Sequence, residues 1–539
     1  MKREEHKLNR RKFIGLSAMA YAGALASSSI GLVSCKKDQI KNTTQTDYKA
    51  IVIGSGFGGS VAALRLGEAG VKTLMLEMGK FFDTTNNQKP FSTQFTPDTR
   101  AAWLKTGNLE MPINLPFPMS GSKQLGVLDR NKCTPNHSMD IFRGTGLGGG
   151  SLVYGAMLPR AVEPKWNVHF SDIPFQEMTS KWYPKVEAMM TISQVPTDLF
   201  NSEYYRFSRV GLQQATDAGY GHFLIPSGFD FNLMRQEFNG NLGKSVTNGE
   251  MILGVNNGSK KSLDKNYIPA AIGTGNVTVK TQHSVASIRQ LPNETYEVSA
   301  NEIDNTGNIT GQHTFTCTHL FVNAGVAGSM DILLKAKYNN LLPNLNDKLG
   351  KGWGNNGNTM VMRNNLREDT GAKMSSVPIV AFEDKNNPYG YLLAEQAPFP
   401  IGLESKTLMY LALVETPERG YFQYNPGSNK VELVWNKSQH QIALNATKHF
   451  INKLNQVNGG GVDTFMINNT GYSDNFTYHP LGGAVRNETS DGYGRLKGYS
   501  NLYCIDGSQL PGYSAGGNPS LTIAALAERS MDNIIRNDF

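Results

Sequence analysis

The chain has 539 residues, of which 39% are hydrophobic, 18% charged and 56 are glycine. At roughly 150 residues per domain that length suggests two to four compact units, which excludes a small disulfide scaffold, and the glycine content points to a globular enzyme rich in tight turns rather than a disordered or fibrous chain. The net charge is +7, but six basic and two acidic residues lie within residues 1–34, so the remainder carries only +3 and implies no nucleic-acid binding.

The first segment reads as an address. Asn9-Arg10-Arg11-Lys12-Phe13-Ile14 precedes an Ala/Gly/Ser-rich run from Gly15 to Val33, which ends in Leu32-Val33-Ser34-Cys35. This resembles a twin-arginine export signal fused to a lipoprotein cleavage box. Residues 1–34 are then a signal peptide, Cys35 is the lipidated first mature residue, and residues 35–46 form a polar tether. A single membrane-anchoring helix is the alternative, but the small residues and missing aliphatic density make a poor span. The first reading predicts an exported, monomeric lipoprotein of the bacterial cell envelope or periplasm, in contact with membrane through Cys35.

Tyr48–Ile53 is a short apolar run that reads as a parallel strand buried on both faces. It leads into Gly54-Ser55-Gly56-Phe57-Gly58-Gly59, a helix expected over Ser60 to Ala69, and a second strand from Val71 to Leu76 that ends in Glu77. In such a β-α-β unit Gly54 permits the turn, Gly56 lets backbone approach a pyrophosphate, and Gly59 packs helix on strand. N–H groups at the helix start hold phosphates, and Glu77 accepts from ribose hydroxyls. The fingerprint alone does not choose FAD over NAD. Cys133, Cys317 and Cys504 are too few for a disulfide framework, and no C-x-x-C or His-rich spacing indicates a metal site. Cys317 and Cys504 lie in apolar runs and read as buried packing.

Arg143 to Ser151 is a glycine-rich loop, including Gly149, Gly150 and Ser151, suited to close passage of backbone against a ring or phosphate. Glu395 interrupts an apolar stretch, where it is either a solvent-facing carboxylate on an edge strand or a buried proton carrier with a partner or a raised pKa. His479 sits in the turn Tyr478-His479-Pro480-Leu481-Gly482-Gly483, as a structural hydrogen bonder or as a group that binds a hydroxyl and helps take its proton. Asn501 to Ser508, through Asp506 and Gly507, reads as another buried strand closing on an acid and a glycine. Asn518 then precedes a helix expected over Ile523 to Ile535, which it caps while facing a ligand.

Together these motifs, with Lys261 to Lys265, Gly352-Trp353-Gly354 and Ala394 to Pro398, resemble the glucose-methanol-choline (GMC) oxidoreductases, and within them the bacterial cholesterol oxidases with non-covalent FAD. The resemblance covers residues 47 to 539. It implies an α/β (α+β overall) fold: a discontinuous Rossmann-like FAD-binding domain over 47–80, 110–152, 261–351 and 496–539, and a substrate-binding domain with a six-stranded antiparallel sheet over 81–109, 153–260 and 352–495. It puts Phe57, Gly58, Glu77, Gly150, Gly155, Met157, Val285, Tyr478, Asp506, Gly507 and Asn518 near FAD, and Glu395, His479 and Asn518 in the catalytic set. Tyr154 stands where the sterol oxidases have Asn, Leu393 where they have Phe beside the cavity, and the segment from Gly512 to Asn518 is one residue longer. The implied reaction is oxidation of a sterol 3β-hydroxyl with dioxygen as acceptor, giving hydrogen peroxide, coupled to 5-ene to 4-ene isomerisation by Glu395. The alternatives are a dehydrogenase of another bulky alcohol with a quinone or haem-protein acceptor, or a non-catalytic lipid-binding protein that retains flavin. Changing Arg10 and Arg11 together to Lys is expected to hold precursor in the cytoplasm, while Cys35→Ala permits export and abolishes labelling with palmitate.

Overall fold

The computed structural model describes residues 41–44, 48–85, 88–93, 97–107, 111, 121–131, 134, 138–398, 406–465, 467 and 470–539. The expected signal peptide, Cys35 and Cys133 lie outside the described residues. Four residues expected in the tether form strand β1 (Lys41–Thr44), which pairs in parallel with β10 (Ile309–Val322).

The first sheet is built on β2 (Tyr48–Ile53), whose residues beyond Lys49 are all buried, because a parallel strand covered on both faces has no solvent side for polar residues. Its order is β7 (Val277–Lys280), β3 (Thr73–Leu76), β2, β10, β9 (Tyr296–Ile303) and β8 (His283–Gln290), with β1 and β20 (Leu502–Tyr503) also on β10. The C-terminal half of β10 pairs in parallel with β2 and β20, and its N-terminal half runs antiparallel to β9. One fourteen-residue strand thus serves both a dinucleotide-type sheet and an antiparallel meander. The fingerprint helix runs Phe57–Glu68, slightly earlier than expected, and the terminal helix is longer than expected at Pro519–Asp538.

The second sheet has the order β17 (Gly461–Val462), β11 (Thr359–Asn364), β14 (Leu408–Val414), β13 (Leu392–Ala397), β12 (Val380–Asp384) and β6 (Gly221–Leu224). All its pairings are antiparallel, and β18 (Tyr472–Ser473) adds a seventh strand to the expected six by pairing with β11. Side chains alternate across it. Leu392 and Ala394 of β13, with Tyr410 and Ala412 of β14, share a core with helices Arg206–Asp217 and Gln441–Asn458 through Phe207, Ala443 and Phe450. Leu393 and Leu413 pack on the opposite face. Two small sheets complete the strands: β4 (Leu128–Asn131), β5 (Asp140–Gly144) and β19 (Phe476–Thr477), and the hairpin β15 (Tyr421–Asn425) and β16 (Lys430–Val434).

Two sets of contacts cross the expected domain limits. Trp166, Phe170, Trp182, Tyr183 and Val186, assigned to the substrate domain, pack with Val61, Leu64, Leu521 and Ala524 of the fingerprint and terminal helices. A stripe of large apolar side chains follows the nearest apolar surface, which here belongs to the cofactor domain. Likewise β19 pairs with β5 across the expected boundary. The expected strand over Asn501 to Ser508 shortens to Leu502–Tyr503, and Gly507–Gln509 turn as a short 3₁₀ helix with the Asp506 side chain accepting from Ser508 N–H. Cys317 and Cys504 are buried, free thiols, both pushed up by burial. Among the described residues no helix is long and apolar enough to cross a membrane.

One carboxylate ties this helical layer together. Glu528 of the terminal helix receives Arg65 of the fingerprint helix through two bonds of 2.7 and 2.6 Å, Lys185 at 2.8 Å and the Tyr267 hydroxyl at 2.8 Å. Burial alone would raise Glu528, but the hydrogen bonds and charges of Arg65 and Lys185 hold it below the ordinary carboxylate range. Its stabilising contribution is therefore present at neutral pH and is lost as pH falls through that lowered value. Glu528→Ala leaves two cations facing a buried void and is expected to cost about 3–5 kcal/mol, read as a lower urea midpoint.

Candidate active site

A cavity of about 630 Å³ opens between the two large sheets, within the range of roughly 300–1,000 Å³ usual for ligand sites. Its wall begins where β2 turns into the fingerprint helix. Gly54 has φ +91°, and a Cβ there would stand 2.4 Å from the Asn323 carbonyl oxygen, so only glycine fits. At Gly56 and Gly150, by contrast, a Cβ would meet nothing within 4 Å. Both glycines line the cavity, so their missing side chains leave room for a ligand, not for the protein itself. The fingerprint helix has no side-chain cap and no acid in its first turn, which leaves its first N–H groups for an anion.

Glu77 lies at the end of β3, buried, with Oε2 accepting from Ser55 N–H (3.2 Å) and Oγ (2.6 Å) and Oε1 from Gly79 N–H (2.8 Å). Oε1, which accepts a single bond, retains a lone pair, and Glu77 lines the cavity. Burial pushes this carboxyl up, against the pull of the Ser55 and Gly79 donors. Ser55 Oγ also accepts from Gly148 N–H at 3.0 Å, which joins the fingerprint to the glycine-rich loop. On another wall Asp506 accepts from Ser329 Oγ at 2.7 Å. Open glycine cradles, uncapped N–H groups and an acid beside them fit the pyrophosphate and ribose of FAD.

The opposite wall carries two titratable side chains, Glu395 and His479. Glu395 is fully buried on β13, which runs between β12 and β14, so the edge-strand reading does not hold. Register accounts for this: Glu395 shares the cavity side of the sheet with Ala397, while Leu392 and Ala394 face the helices. Neither carboxylate oxygen has a hydrogen-bond partner among the described residues. Burial pushes the carboxyl up to about 8, with the neighbouring Asn518 amide pulling weakly the other way. Asn518 precedes the terminal helix but makes no side-chain cap, contrary to expectation. Its Nδ2 donates to the Met157 carbonyl at 3.5 Å, and its buried Oδ1 has no partner.

The tautomer of His479 is fixed by two asparagines absent from the sequence-level set. Asn358 Oδ1 accepts from the main-chain N–H of Tyr478 at 3.0 Å, so its Nδ2 must face His479 Nδ1, 3.0 Å away. Asn356 Oδ1 accepts from the main-chain N–H of Ser514 at 3.1 Å, and its Nδ2 lies 3.5 Å from the same ring nitrogen. With amide donors on Nδ1, that nitrogen is the acceptor and the neutral ring carries its proton on Nε2. Burial pushes the imidazole down to about 3. His479 thus lines the cavity with its donor N–H on Nε2. The run Asn355-Asn356-Gly357-Asn358 was the sequence signal for this support.

Gly54, Gly56, Phe57, Gly58, Glu77, Gly149, Gly150, Gly155, Met157, Val285, Tyr478, Asp506, Gly507 and Asn518 all line the one cavity, together with Glu395 and His479. Gly59 and Ser151 do not. A Cβ on Gly59 would stand 2.0 Å from the Gly54 carbonyl oxygen, so it serves helix packing. Ser151 Oγ donates to Gly148 O and accepts from Leu263 N–H, bracing the loop from behind. Tyr154 lines the cavity with its ring 5.8 Å from that of Phe57, whereas Leu393 packs behind the wall with Met157 and Leu413. Met111, Met251, Ile252, Met360, Met409 and Leu411 give the rest of the cavity an adaptable apolar surface.

Residues 48–340 match the family GMC oxidoreductase and residues 356–468 match GMC oxidoreductase, C-terminal. The chain is similar to a cholesterol oxidase of Mycobacterium tuberculosis, 25% identical with 90% of each chain covered. It is also similar to a cholesterol oxidase of Acinetobacter baumannii, 23% identical over 90% of this chain and 94% of the other. The fold is shared with the crystal structure of pyridoxine 4-oxidase from Mesorbium loti, at a TM-score of 0.60 and 13% identity, covering 90% of this chain and 99% of that one.

The asparagine lock has a measurable consequence. Asn358→Asp places an acceptor against Nδ1, moves the proton there, and raises the imidazole from its depressed value. Turnover of alcohol is expected to fall about 100-fold, with a new ionisation of His479 entering the pH profile of kcat/KM. An unchanged profile would show that the asparagines do not set the tautomer.

Proposed function

Because the chain belongs to the GMC oxidoreductase family, a family of FAD-binding alcohol oxidoreductases, we propose that it oxidises the 3β-hydroxyl of a sterol, delivers the electrons to dioxygen as hydrogen peroxide, and isomerises the 5-ene-3-one product to the 4-ene-3-one. The observation that carries this reading is Glu395, a fully buried carboxyl without hydrogen-bond partner, facing the same cavity as His479 and the dinucleotide fingerprint. A buried carboxyl left unpaired costs stability, and a proton-transfer role gives it a use. The methionine-rich wall suits a bulky apolar alcohol, and cholesterol oxidases are among the relatives.

In this reading the hydroxyl oxygen accepts from His479 Nε2–H, which orients the carbinol, and Glu395 in its ionised form takes the hydroxyl proton. FAD, held non-covalently, supplies the hydride acceptor and the route of electrons to oxygen. Glu395 must lose that proton before it acts again, removing one from C4 of the enone precursor and returning it at C6, so that the second reaction is a net proton shift. Asn518, beside Glu395, keeps the substrate oxygen and the carboxyl in register. The twin-arginine and lipid-anchor reading belongs to the same proposal: a monomer tethered through Cys35 holds its cavity near membrane lipid.

Anaerobic addition of a 3β-hydroxysterol is expected to bleach the flavin, and the same mixture in air to yield peroxide. Bleaching by small alcohols but not by sterols would overturn the substrate assignment. Glu395→Gln is expected to slow oxidation about 100-fold yet leave it measurable, with product arrested at the unconjugated ketone. In the native protein isomerisation needs the ionised carboxyl, so its rate should fall about tenfold per pH unit below the value near 8 and level off above it. Conjugated product from Glu395→Gln at the native ratio to peroxide would remove Glu395 from the isomerisation step.

A further inference from the structure

Strands β8, β9 and β10 bring together three ligating side chains whose spacing in the sequence signals no metal site. His283 is the cross-strand partner of Glu302, and Gly311 is the partner of Glu302 on the other side, which places His313 on the adjoining diagonal. One ligand atom from each of His283, Glu302 and His313 lies within 4.8 Å of the other two. His313 Nε2 is 2.9 Å from Glu302 Oε2, and the two imidazole centroids are 5.0 Å apart.

Two further observations mark the cluster as built for a ligand. His283 Nδ1 is 2.7 Å from the Thr281 carbonyl, an acceptor only, so Nδ1 carries the proton and Nε2 presents a lone pair. His283 is 7% exposed, and that Nε2 has no partner among the described residues. Beside the cluster, a Cβ on Gly311 would stand 3.1 Å from both Glu302 Oε2 and His313 Nε2, so a side chain there would crowd both atoms.

We propose that His283, Glu302 and His313 form a binding site for a divalent transition cation of the zinc type, separate from Glu395 and His479 and placed beside the cofactor cavity, which His283 also lines. Two imidazoles and one carboxylate are a donor set for zinc, with water completing the tetrahedron. Bonds of about 2.0–2.1 Å place tetrahedral donors roughly 3.4 Å apart, a contraction that the half-exposed Glu302 side chain can supply by rotation. The free Nε2 of His283 and the carboxylate of Glu302 are donors that such a cation takes. Lys280, whose charge also acts on both, repels any cation here. That repulsion disfavours a loosely hydrated magnesium or calcium ion and leaves a metal held by short bonds to nitrogen.

The test uses untagged, flavin-loaded full-length protein, stripped with chelator and dialysed against zinc or cobalt. One equivalent of zinc and a tetrahedral cobalt visible spectrum are expected. Glu302→Gln and His313→Gln should each weaken zinc binding at least tenfold, on the order of what loss of even an indirect support costs, and Gly311→Ala should do so by crowding. Flavin absorbance and far-UV circular dichroism report that each variant is folded, and the Glu302 and Gly311 variants decide the matter where His313→Gln is not. Absence of stoichiometric zinc in the native protein, or undiminished affinity in the folded variants, would overturn the site.

Discussion

The cavity exists because backbone from distant parts of the chain comes closer than any side chain permits. A Cβ on Gly58 would lie 2.5 Å from the Ile505 carbonyl oxygen, one on Gly79 2.4 Å from Gly146 N, and one on Gly149 2.9 Å from the Gly56 Cα. These contacts hold the first β-α-β unit, the glycine-rich loop and the segment after β20 in one wall. Ser55 adds the polar half of the same joint by donating to Glu77 and accepting from Gly148. Steric exclusion thus decides the geometry, and a few short hydrogen bonds prevent the loops from sliding. Where the same glycines face open space, at Gly56 and Gly150, the absence of side chains becomes the binding surface.

Against this fixed wall stand two titratable groups shifted in opposite directions, Glu395 on β13 and His479 in the turn after β19. Burial pushes the Glu395 carboxyl up and the His479 imidazole down, and Asn356 and Asn358 choose the tautomer of the ring. Neither group relies on the other for its state. Two environments that push a carboxyl up and an imidazole down produce a donor and a proton carrier side by side without a salt bridge that would quench both.

What was legible in the sequence was local. The strand Tyr48–Ile53, the fingerprint helix and Glu77 follow from short-range pattern, since a parallel strand buried on both faces and a glycine turn need no distant information. Glu395 was visible as a break in an apolar run, but alternation along β13 could not say whether its neighbours were strands or solvent; that is set by β12 and β14, which lie on either side. Asn358 and Ser151 carry the same lesson in opposite directions. One proved to govern a ring 121 positions away, and the other, inside a motif, proved to brace the loop rather than line the cavity. Helical residues around Trp166 to Val186 pack on the fingerprint and terminal helices, a contact between distant apolar stripes that local pattern does not show.

The position of β20 and the terminal helix has a consequence for how this protein is made. Strand β10 cannot complete its parallel edge, nor Gly58 its contact with Ile505, until residues beyond 500 have left the ribosome. A domain begun at Tyr48 is therefore finished only once Ile505 has emerged, by a loop closure that reaches from Gly58 to Ile505. The cavity wall closes only then, and until β20 arrives the C-terminal half of β10 has its parallel edge opposite β2 open, an edge prone to misassociation.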